Sequence, residues 1–370
     1  MEKKKFSIPR IIITTILLII AFVLAYVLYV CIQYSRIEDN LVLDINGETS
    51  QPLLATGKTY SAATYNIGFG AYGPEFSFFM DTGKMQDGTP VKGIYGKAIS
   101  KDNVLSHMKG IISTVKKLNP DIILFQEVDI KSNRARGVDE QQMLRDNLPG
   151  MSSVYASNFH SAYLAYPFSD PHGATEAGLL TFSKRPIGQA IRKQYPVDGS
   201  IPNKFLDLDR CFSVCVMPVT NGKNLLVINS HMSAYDKDGL IRQEQRETLN
   251  AFMEEEYKKG NYVIVGGDFN STLGSDLLNT FPTTQLQPDW VHTIDTKDLA
   301  EGMRIVKADN RTTVPTCRSS DLPYKKGVNY TTVLDGYLVS DNITATATNI
   351  NNEFAYSDHQ PVVLTFTLRP

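Results

Sequence analysis

The stretch Val263–Ser271, VIVGGDFNS, decides how the rest of the chain is interpreted. It opens with three apolar, β-branched residues, the pattern of a buried central strand. Gly266 and Gly267 follow, and two glycines allow the backbone to turn tightly where a strand ends. Asp268 and Asn270 come at i and i+2, so on extended backbone their side chains point to one face. Such a pair can hold a metal ion, a water or a phosphate, although an Asx turn capping a following helix uses the same residues.

A long apolar run near the N-terminus indicates a membrane anchor. Ile11–Ile32 contains no charged residue, and a helix of that length rises about 33 Å, enough to cross the hydrocarbon core of a bilayer. Residues 1–10 are basic, so the positive-inside rule places them in the cytoplasm and the rest of the chain outside it. A lipoprotein signal ending at Cys31 is the alternative, but Leu28–Val30 lacks the small residues that cleavage requires.

The sequence therefore predicts a single-pass protein of the cell membrane. Its expected parts are a cytoplasmic tail (1–10), a transmembrane anchor (11–32), a polar stalk (33–57) and an extracytoplasmic domain (58–370). The formal net charge is −2, and it becomes −5 without residues 1–10. That balance lacks the basic surface of a tight nucleic-acid binder, although bound metal ions can supply local positive charge.

Apolar periodicity divides the large domain into predicted strands and helices. The predicted strands are Tyr60–Asn66, Asp121–Gln126, Gly178–Ser183, Cys211–Val219, Asn224–Asn229, Val333–Val339, Ile343–Thr348 and Pro361–Leu368. The predicted helices are Asp102–Leu118, a short one at 140–147, and Asp238–Lys258. The Asn-Gly at 221–222 predicts a hairpin. Apart from its short helix, 128–175 is expected to be rich in loops, and 272–328 to be irregular.

Polar residues that can bind metal or transfer protons recur where these strands begin or end. They are Asn66, Glu127, His231, Asp268, Asn270, Asp335, Asp358 and His359. A single Glu or His in such a place is more often structural than catalytic. Because strand ends of one sheet system can converge on one mouth, eight of them together predict a shared site.

The segments around these residues resemble known motifs. They are Thr64-Tyr65-Asn66, Gln126-Glu127-Val128, Asn229-Ser230-His231-Met232, Gly267-Asp268-Phe269-Asn270, Leu334-Asp335-Gly336-Tyr337 and Ser357-Asp358-His359-Gln360-Pro361-Val362. In this order over about residues 60–370, the chain resembles the endonuclease/exonuclease/phosphatase superfamily. That superfamily includes pancreatic deoxyribonuclease, abasic-site endonucleases, bacterial sphingomyelinases and inositol polyphosphate 5-phosphatases. The resemblance implies an α/β fold, a four-layer α/β/β/α sandwich, here preceded by one N-terminal transmembrane helix.

The resemblance also implies a metal site. Glu127 would be the main ligand of Mg²⁺, for which Mn²⁺ can substitute, and Asn66 would lie close by on the metal or the phosphate. Asp358 would bind a second metal or tune the attacking water. Mg²⁺ binds few carboxylates and keeps several waters, which suits so sparse a ligand set.

The catalytic roles are implied in the same way. Asp268 would orient or deprotonate the attacking water, and Asn270 would donate to the phosphoryl oxygens. His359 would contact the phosphoryl group as a cation or proton carrier, with its ring held by Asp335. His231 would contact a phosphate oxygen or help to protonate the leaving group. The sequence alone leaves the identity of the general base open.

Four further residues are candidates for substrate binding. Arg134 and Arg136 follow Glu127 and could clamp a phosphate bidentately, although solvated loop charges are the commoner explanation. Asn158 and His160 stand where some members of the superfamily place polar groups that contact substrate.

The function predicted from the sequence is a membrane-anchored, Mg²⁺-dependent phosphoester hydrolase, with a phosphodiester as the favoured substrate. The anchor at 11–32 favours a phospholipid or another envelope phosphodiester, and Phe76–Met80 is the nearest thing to a membrane-entering hairpin. One alternative is a DNA or RNA nuclease of the same fold. Another is a non-catalytic binding or scaffold protein, which should have lost site residues, whereas all eight are present. Nothing in the sequence indicates a protein partner.

Overall fold

The computed structural model describes residues 8–200, 209–234 and 236–370. Within these residues the helices are α1 (Ile8–Gln33), α2 (Lys101–Leu118), α3 (Glu140–Asn147) and α4 (Leu240–Lys258). The strands are β1 (Leu41–Val42), β2 (Ile45–Asn46), β3 (Thr59–Asn66), β4 (Thr82–Lys84), β5 (Pro90–Lys92), β6 (Ile122–Asp129), β7 (Ser152–Leu164), β8 (Gly173–Ser183), β9 (Gln189–Gln194), β10 (Cys211–Pro218), β11 (Asn224–His231), β12 (Tyr262–Asp268), β13 (Thr272–Leu273), β14 (Thr293–Ile294), β15 (Met303–Val306), β16 (Cys317–Arg318), β17 (Thr331–Thr332), β18 (Asp335–Ser340), β19 (Ile343–Asn349) and β20 (Val362–Leu368).

Two seven-stranded sheets form the centre of the molecule. The first sheet has the order β1-β9-β10-β11-β12-β18-β15, and the second has the order β19-β20-β3-β6-β8-β7-β2. Their facing side chains form one buried apolar core, while α2 and α3 cover the outer face of the second sheet and α4 covers that of the first. The predicted four-layer α/β/β/α sandwich is therefore confirmed. The N-terminal α1 is long and apolar enough to cross a membrane.

Helix α2 shows how the sequence sets an outer layer. Its N-cap is Ser100, whose Oγ accepts a hydrogen bond from the backbone N–H of Asn103. Val104, Met108 and Ile111 recur at helical spacing and are buried against the second sheet. Asn119 ends the helix in the left-handed conformation, with φ of 47°.

The two glycines of β12 are closely approached by neighbouring groups. The strand runs through Gly266 and Gly267 to Asp268, so the predicted tight turn at the glycines is wrong. A Cβ on Gly267 would lie 1.9 Å from the carbonyl oxygen of Ser230 on the neighbouring strand. A Cβ on Gly266 would lie 2.5 Å from the ring of Tyr337. Glycine is therefore needed here because backbone and ring approach closely.

Residues 128–175 contain more strand than expected. The region predicted to be rich in loops holds the thirteen-residue β7 and the start of β8, which pair with each other in the second sheet. Neighbouring polar residues such as Ser157-Asn158 and His160-Ser161 interrupt the apolar residues of β7, so the strand lacks a regular apolar pattern. The segment 33–57, expected to be a stalk, supplies β1 and β2 as edge strands of the two sheets. It therefore packs onto the domain.

Candidate functional site

The register of the first sheet aligns three polar side chains. β11 and β12 run parallel and pair His231 with Asp268, while β12 and β18 run antiparallel and pair Asp268 with Asp335. Residues paired across neighbouring strands project to the same face of a sheet. The ends of β11 and β12 and the start of β18 thus form one continuous polar row, which is almost completely buried.

The second sheet brings an amide and an acid to the same place. Asn66 ends β3, and its Nδ2 donates to Asp268 Oδ2 at 3.0 Å and to Glu127 Oε1 at 3.3 Å. Glu127 lies at a bulge of β6 and has a φ of 55°. A bulge re-aims a side chain, and positive φ is uncommon at a glutamate within a strand. The bulge therefore explains how an acid within a buried strand turns toward the polar row.

His359 is held between two carboxylates of the row. Its Nδ1 donates to Asp335 Oδ2 at 2.8 Å, and its Nε2 lies 3.6 Å from Asp268 Oδ2. Burial lowers the pKa of His359, but its acidic neighbours, above all Asp335, raise it to a net pKa well above the ordinary range. Burial raises the pKa of Asp335 to about 6, an effect that His359 opposes. The geometry therefore favours an imidazolium oriented by Asp335.

His231 has the opposite electrostatic character. Its Nε2 lies 3.5 Å from Asp268 Oδ2 and 3.9 Å from Glu127 Oε1. Burial lowers its pKa well below the ordinary range, and the positive charge of Arg210 lowers it further. The pKa values of the two histidines beside Asp268 are thus shifted in opposite directions, which favours a neutral His231 and a cationic His359.

Asn270 and Asp358 complete the predicted set. The backbone N–H of Asn270 donates to Asp268 Oδ1 at 2.8 Å, and its Nδ2 donates to the carbonyl of Met232 at 2.8 Å. Asp358 Oδ2 accepts a hydrogen bond of 3.1 Å from Ser320 Oγ. Both residues line the same pocket as Glu127, His231 and His359, so the structure brings the predicted strand-end residues together.

That pocket has a volume of about 380 Å³ and two chemically different parts. Five strand-end residues line it: Glu127, His231, Asn270, Asp358 and His359. Asn66, Asp268 and Asp335 lie directly behind them and contact Glu127, His231 or His359. We call these eight residues together the polar floor of the pocket. We call the surrounding apolar residues its aromatic wall, and these include Tyr26, Phe78, Phe79, Met80, Tyr166 and Trp290. The pocket therefore offers a charged, polar end and an apolar side to a single bound molecule.

The arginine candidates are already engaged with the protein. Arg134 lines the pocket, and its Nε and Nη2 donate to Asp129 at 2.9 and 2.8 Å. Arg136 donates to the carbonyls of Ala98 and Ile99 and is not among the lining residues. The bidentate geometry that suits a phosphate is thus used by Arg134 on a neighbouring carboxylate.

Asn158 and His160 lie on β7, outside the pocket lining. Asn158 is buried, and its Nδ2 has no hydrogen-bond partner among the described residues. His160 Nε2 lies 3.5 Å from Asp209 Oδ2, and that contact raises the pKa of His160. The structure therefore does not bring these two residues to the polar floor.

Two buried arginines of the pocket are absent from the sequence prediction. Arg210 and Arg318 both line it. Arg318 Nη2 donates to the carbonyls of Tyr72 and Gly73 at 3.2 and 2.9 Å, so it ties the aromatic wall to the segment that carries Ser320. Neither arginine belongs to a motif, and Arg318 lies in a region predicted to be irregular, so no sequence signal identified them.

The floor has two sets of donors that could bind a metal. Asp268, Asp335 and His359 offer ligand atoms within 4.8 Å of one another. His359 Nδ1 is hydrogen-bonded to Asp335, however, which makes this set a chain of proton donors and acceptors. Glu127 supplies hard oxygen donors, and burial raises its pKa. A divalent cation beside Glu127 would offset the cost of burying its charge, so the carboxylate fits such an ion.

Residues 63–359 match the Endonuclease/Exonuclease/phosphatase family. The chain is similar to inositol phosphosphingolipids phospholipase C from Schizosaccharomyces pombe, with 28% identity over 172 residues, which are 44% of this chain and 36% of the yeast protein. The chain thus spans about a third of that relative's length.

Two solved structures share the fold. One is the endonuclease/exonuclease/phosphatase from Beutenbergia cavernae, with a TM-score of 0.54 and 13% identity over 84% of this chain and 72% of that chain. The other is D. rerio TDP2 complexed with a single-strand DNA product, with a TM-score of 0.52 and 13% identity over 84% of this chain and 99% of that chain. The family match spans every residue of the polar floor, and the chain therefore belongs to the endonuclease/exonuclease/phosphatase family.

Proposed function

We propose that this protein is a membrane-anchored, Mg²⁺-dependent hydrolase of phosphodiesters, acting on a membrane phospholipid outside the cytoplasm. The observation that carries the proposal is the pocket, in which a floor suited to phosphoester chemistry adjoins an aromatic wall. Family membership supports the hydrolase chemistry. The wall and α1 support a lipid substrate, because both are apolar.

The metal would be held by Glu127, with Asn66 and Asp358 nearby. Mg²⁺, or Mn²⁺ in its place, would neutralise the phosphoryl oxygens that otherwise repel an anionic nucleophile. Asn66 donates its amide to the Glu127 and Asp268 carboxylates. Asn66 therefore fixes the distance between Glu127, the proposed metal ligand, and Asp268, which would orient the attacking water.

Asp268 would orient the attacking water and accept its proton. Its two oxygens receive hydrogen bonds from Asn66 Nδ2 and the Asn270 backbone, which hold the carboxylate in place. His359, charged and oriented by Asp335, would face the phosphoryl group and stabilise the negative charge that develops there. Because the cation is preformed, no proton has to arrive at His359 before the phosphoryl group is bound.

His231 and Asn270 would act on the remaining oxygens. Burial keeps the pKa of His231 low and the ring neutral, so its Nε2–H can donate a hydrogen bond to a phosphate oxygen or to the leaving-group oxygen without transferring the proton. Asn270 uses its Nδ2 on Met232 and keeps a second N–H for the substrate. These roles follow from position and hydrogen bonding and are part of the proposal.

The substrate class rests on further support. The fission-yeast relative is named as a phospholipase C for inositol phosphosphingolipids, so a lipid phosphodiester agrees with it. D. rerio TDP2 is described with a single-strand DNA product, which keeps a nuclease as the second candidate. The net charge of −2 disfavours strong binding to nucleic acid.

The decisive test is hydrolysis by the full-length chain reconstituted in vesicles with Mg²⁺. Phosphorus NMR would follow phospholipids, inositol phosphates, DNA and bis(p-nitrophenyl) phosphate, with His359→Ala as the inactive control. New resonances from a lipid diester with the wild-type chain alone are expected. Cleavage of DNA alone would favour the nuclease. Bound Mn²⁺ without cleavage of any substrate would favour a binding protein.

The proposed topology has a separate test. Residues 1–10 would lie in the cytoplasm, Ile11–Ile32 would cross the membrane, and residues 33–370 would lie outside it. Protease added to intact cells should then remove the catalytic domain. Full protection of the domain, with cleavage only after lysis, would reverse the orientation.

A further inference from the structure

Helix α1 contacts the rim of the pocket. Tyr26 of α1 is one of the residues that line the pocket. Its hydroxyl donates to the carbonyl of Tyr163 at 3.1 Å and accepts from the backbone N–H of Ala165 at 3.0 Å. One turn further on, Tyr29 accepts from the backbone N–H of Tyr163 at 3.2 Å. Two tyrosines of the apolar helix thus bind the end of β7.

These bonds are well suited to the border of a membrane. Exposed peptide groups are costly where water is scarce, so they need partners there. Tyrosine supplies an apolar ring together with a hydroxyl, and it is enriched at the level of the lipid headgroups. Ile11 to Tyr29 rises about 27 Å along a helix, close to the roughly 30 Å of a hydrocarbon core. In a membrane whose core begins near Ile11, Tyr29 would lie at the far interface and Tyr26 about one turn deeper.

The protein surface beside these tyrosines is apolar and exposed. Phe168 is 86% exposed and Tyr166 is 57% exposed. The rings of Phe168, Tyr166 and Phe79 follow one another at centroid distances of 5.8 and 5.7 Å. This row leads from the surface next to α1 into the aromatic wall of the pocket. Large apolar rings this exposed indicate contact with a membrane or a partner.

We propose that the membrane helix is itself a wall of the substrate pocket, and that the pocket opens at the membrane interface. A lipid of the leaflet around α1 would then enter sideways, with its apolar chains along Tyr26, Tyr166 and Phe168 and its phosphate toward the polar floor. The occupant is assigned as lipid because the exposed row is continuous with an apolar helix of membrane-spanning length. This inference rests on the proposed function for its substrate, but the seating of α1 stands on geometry alone.

The seating can be tested in membranes by photo-cross-linking. A benzoylphenylalanine in place of Tyr29, in the full-length chain, should form an adduct with a peptide from 159–173. The matched control is the same group in place of Phe22, which lies on the same helix face two turns deeper and is 75% exposed. An adduct from position 29 alone supports the inference. Equal yields from both positions, or none from position 29, would overturn it.

The lateral entry has its own measurement. Turnover of vesicle lipid and of the soluble diester bis(p-nitrophenyl) phosphate is compared for the full-length chain in the same proteoliposomes. Tyr26→Phe keeps the ring and removes both hydrogen bonds, and Phe168→Ser removes the outermost ring. Each should lower the ratio of lipid to soluble turnover about 10-fold. A ratio equal to that of the wild-type chain would refute lateral entry, while failure of the wild-type chain on both substrates would refute the proposed function instead.

Discussion

The polar floor and the aromatic wall meet in one pocket but are built in different ways. The floor stands on strand ends of two paired sheets, so the ladder hydrogen bonds fix the positions of His231, Asp268 and Asp335 relative to one another. The wall is assembled from loops and from α1, and its rings are held mainly by one another, as Phe79 is by Tyr166. The proposed chemistry, which tolerates little displacement, would thus lie on the sheets, and the proposed recognition of substrate would lie on the more adaptable segments.

The largest expected effect is the loss of turnover on substitution of Asp268, a residue of the polar floor. Asp268→Asn keeps the shape of the side chain but cannot accept a proton. We expect kcat on a phosphodiester to fall about 10³-fold, within the usual range for loss of a general base. The matched control is Asp341→Asn, the same change at an exposed turn, which should keep wild-type turnover. Equal activity of both variants, with the same melting temperature, would remove Asp268 from the floor's chemistry.

The next effect concerns the metal. Glu127→Gln removes a charge from the floor without changing its shape, so we expect Mn²⁺ to bind about 100-fold more weakly in calorimetry, as for loss of a close metal partner. Glu255→Gln on the exposed face of α4 is the control. If Glu127→Gln binds as the wild-type chain does, the ion is held by Asp268, Asp335 and His359 instead. That result would assign the metal to the carboxylates of the first sheet and not to Glu127 of the second.

The floor could be predicted from the sequence because its residues follow recognisable strands. An apolar run ending in Gly-Asp-Phe-Asn or in Asn-Ser-His-Met fixes both the element and the position of the polar residue. The order of such segments along the chain then identifies the family and its sandwich. The remaining error at β12 is local, because a glycine required by a close neighbour cannot be told from one required by a turn.

The wall could not be predicted because no periodicity connects its members. Tyr26, Phe79, Tyr166 and Trp290 come from four separate segments, and only the tertiary fold brings them together. Residues 128–175 add to the difficulty, because β7 carries polar residues and its apolar pattern is weak. The two buried arginines, Arg210 and Arg318, are hidden for the same reason.

A substitution in the aromatic wall should change KM more than kcat, unlike a substitution in the polar floor. Phe79→Ala removes a ring from the apolar side of the pocket, and burying such a ring contributes about 1.5–3 kcal/mol. We expect KM for the lipid to rise about 10-fold, and to change far more than kcat. Phe252→Ala, the same truncation on α4 outside the pocket lining, should leave KM as it is. A fall in kcat alone at Phe79 would mean that the wall takes part in the chemistry.

The wall also contains a histidine whose protonation should couple the stability of the fold to mild acid. His172 is buried against the rings of Phe78 and Phe79, and its Nδ1 donates to the carbonyl of Gly96 at 2.6 Å. Burial lowers its pKa to about 4, and the positive charge of Arg134 acts in the same direction. The folded wall therefore holds this histidine neutral at a pH where the unfolded chain protonates it.

The smallest predicted effect follows from that difference. The unfolded chain binds a proton at His172 below about pH 6.5, and the folded chain only near pH 4. The stability that neutral His172 contributes is therefore fully present above pH 6.5 and is lost as the pH falls toward 4. Between pH 7 and 5.5 the loss should be about 1 kcal/mol, measured by denaturant unfolding without metal. His172→Gln should remove the share of this loss that His172 causes and leave the share of buried His231, whose pKa is also lowered. His160, whose pKa Asp209 raises, is the control with opposite sign, since His160→Gln should make the acid loss steeper. Parallel pH profiles for all three chains would show that neither histidine governs acid stability.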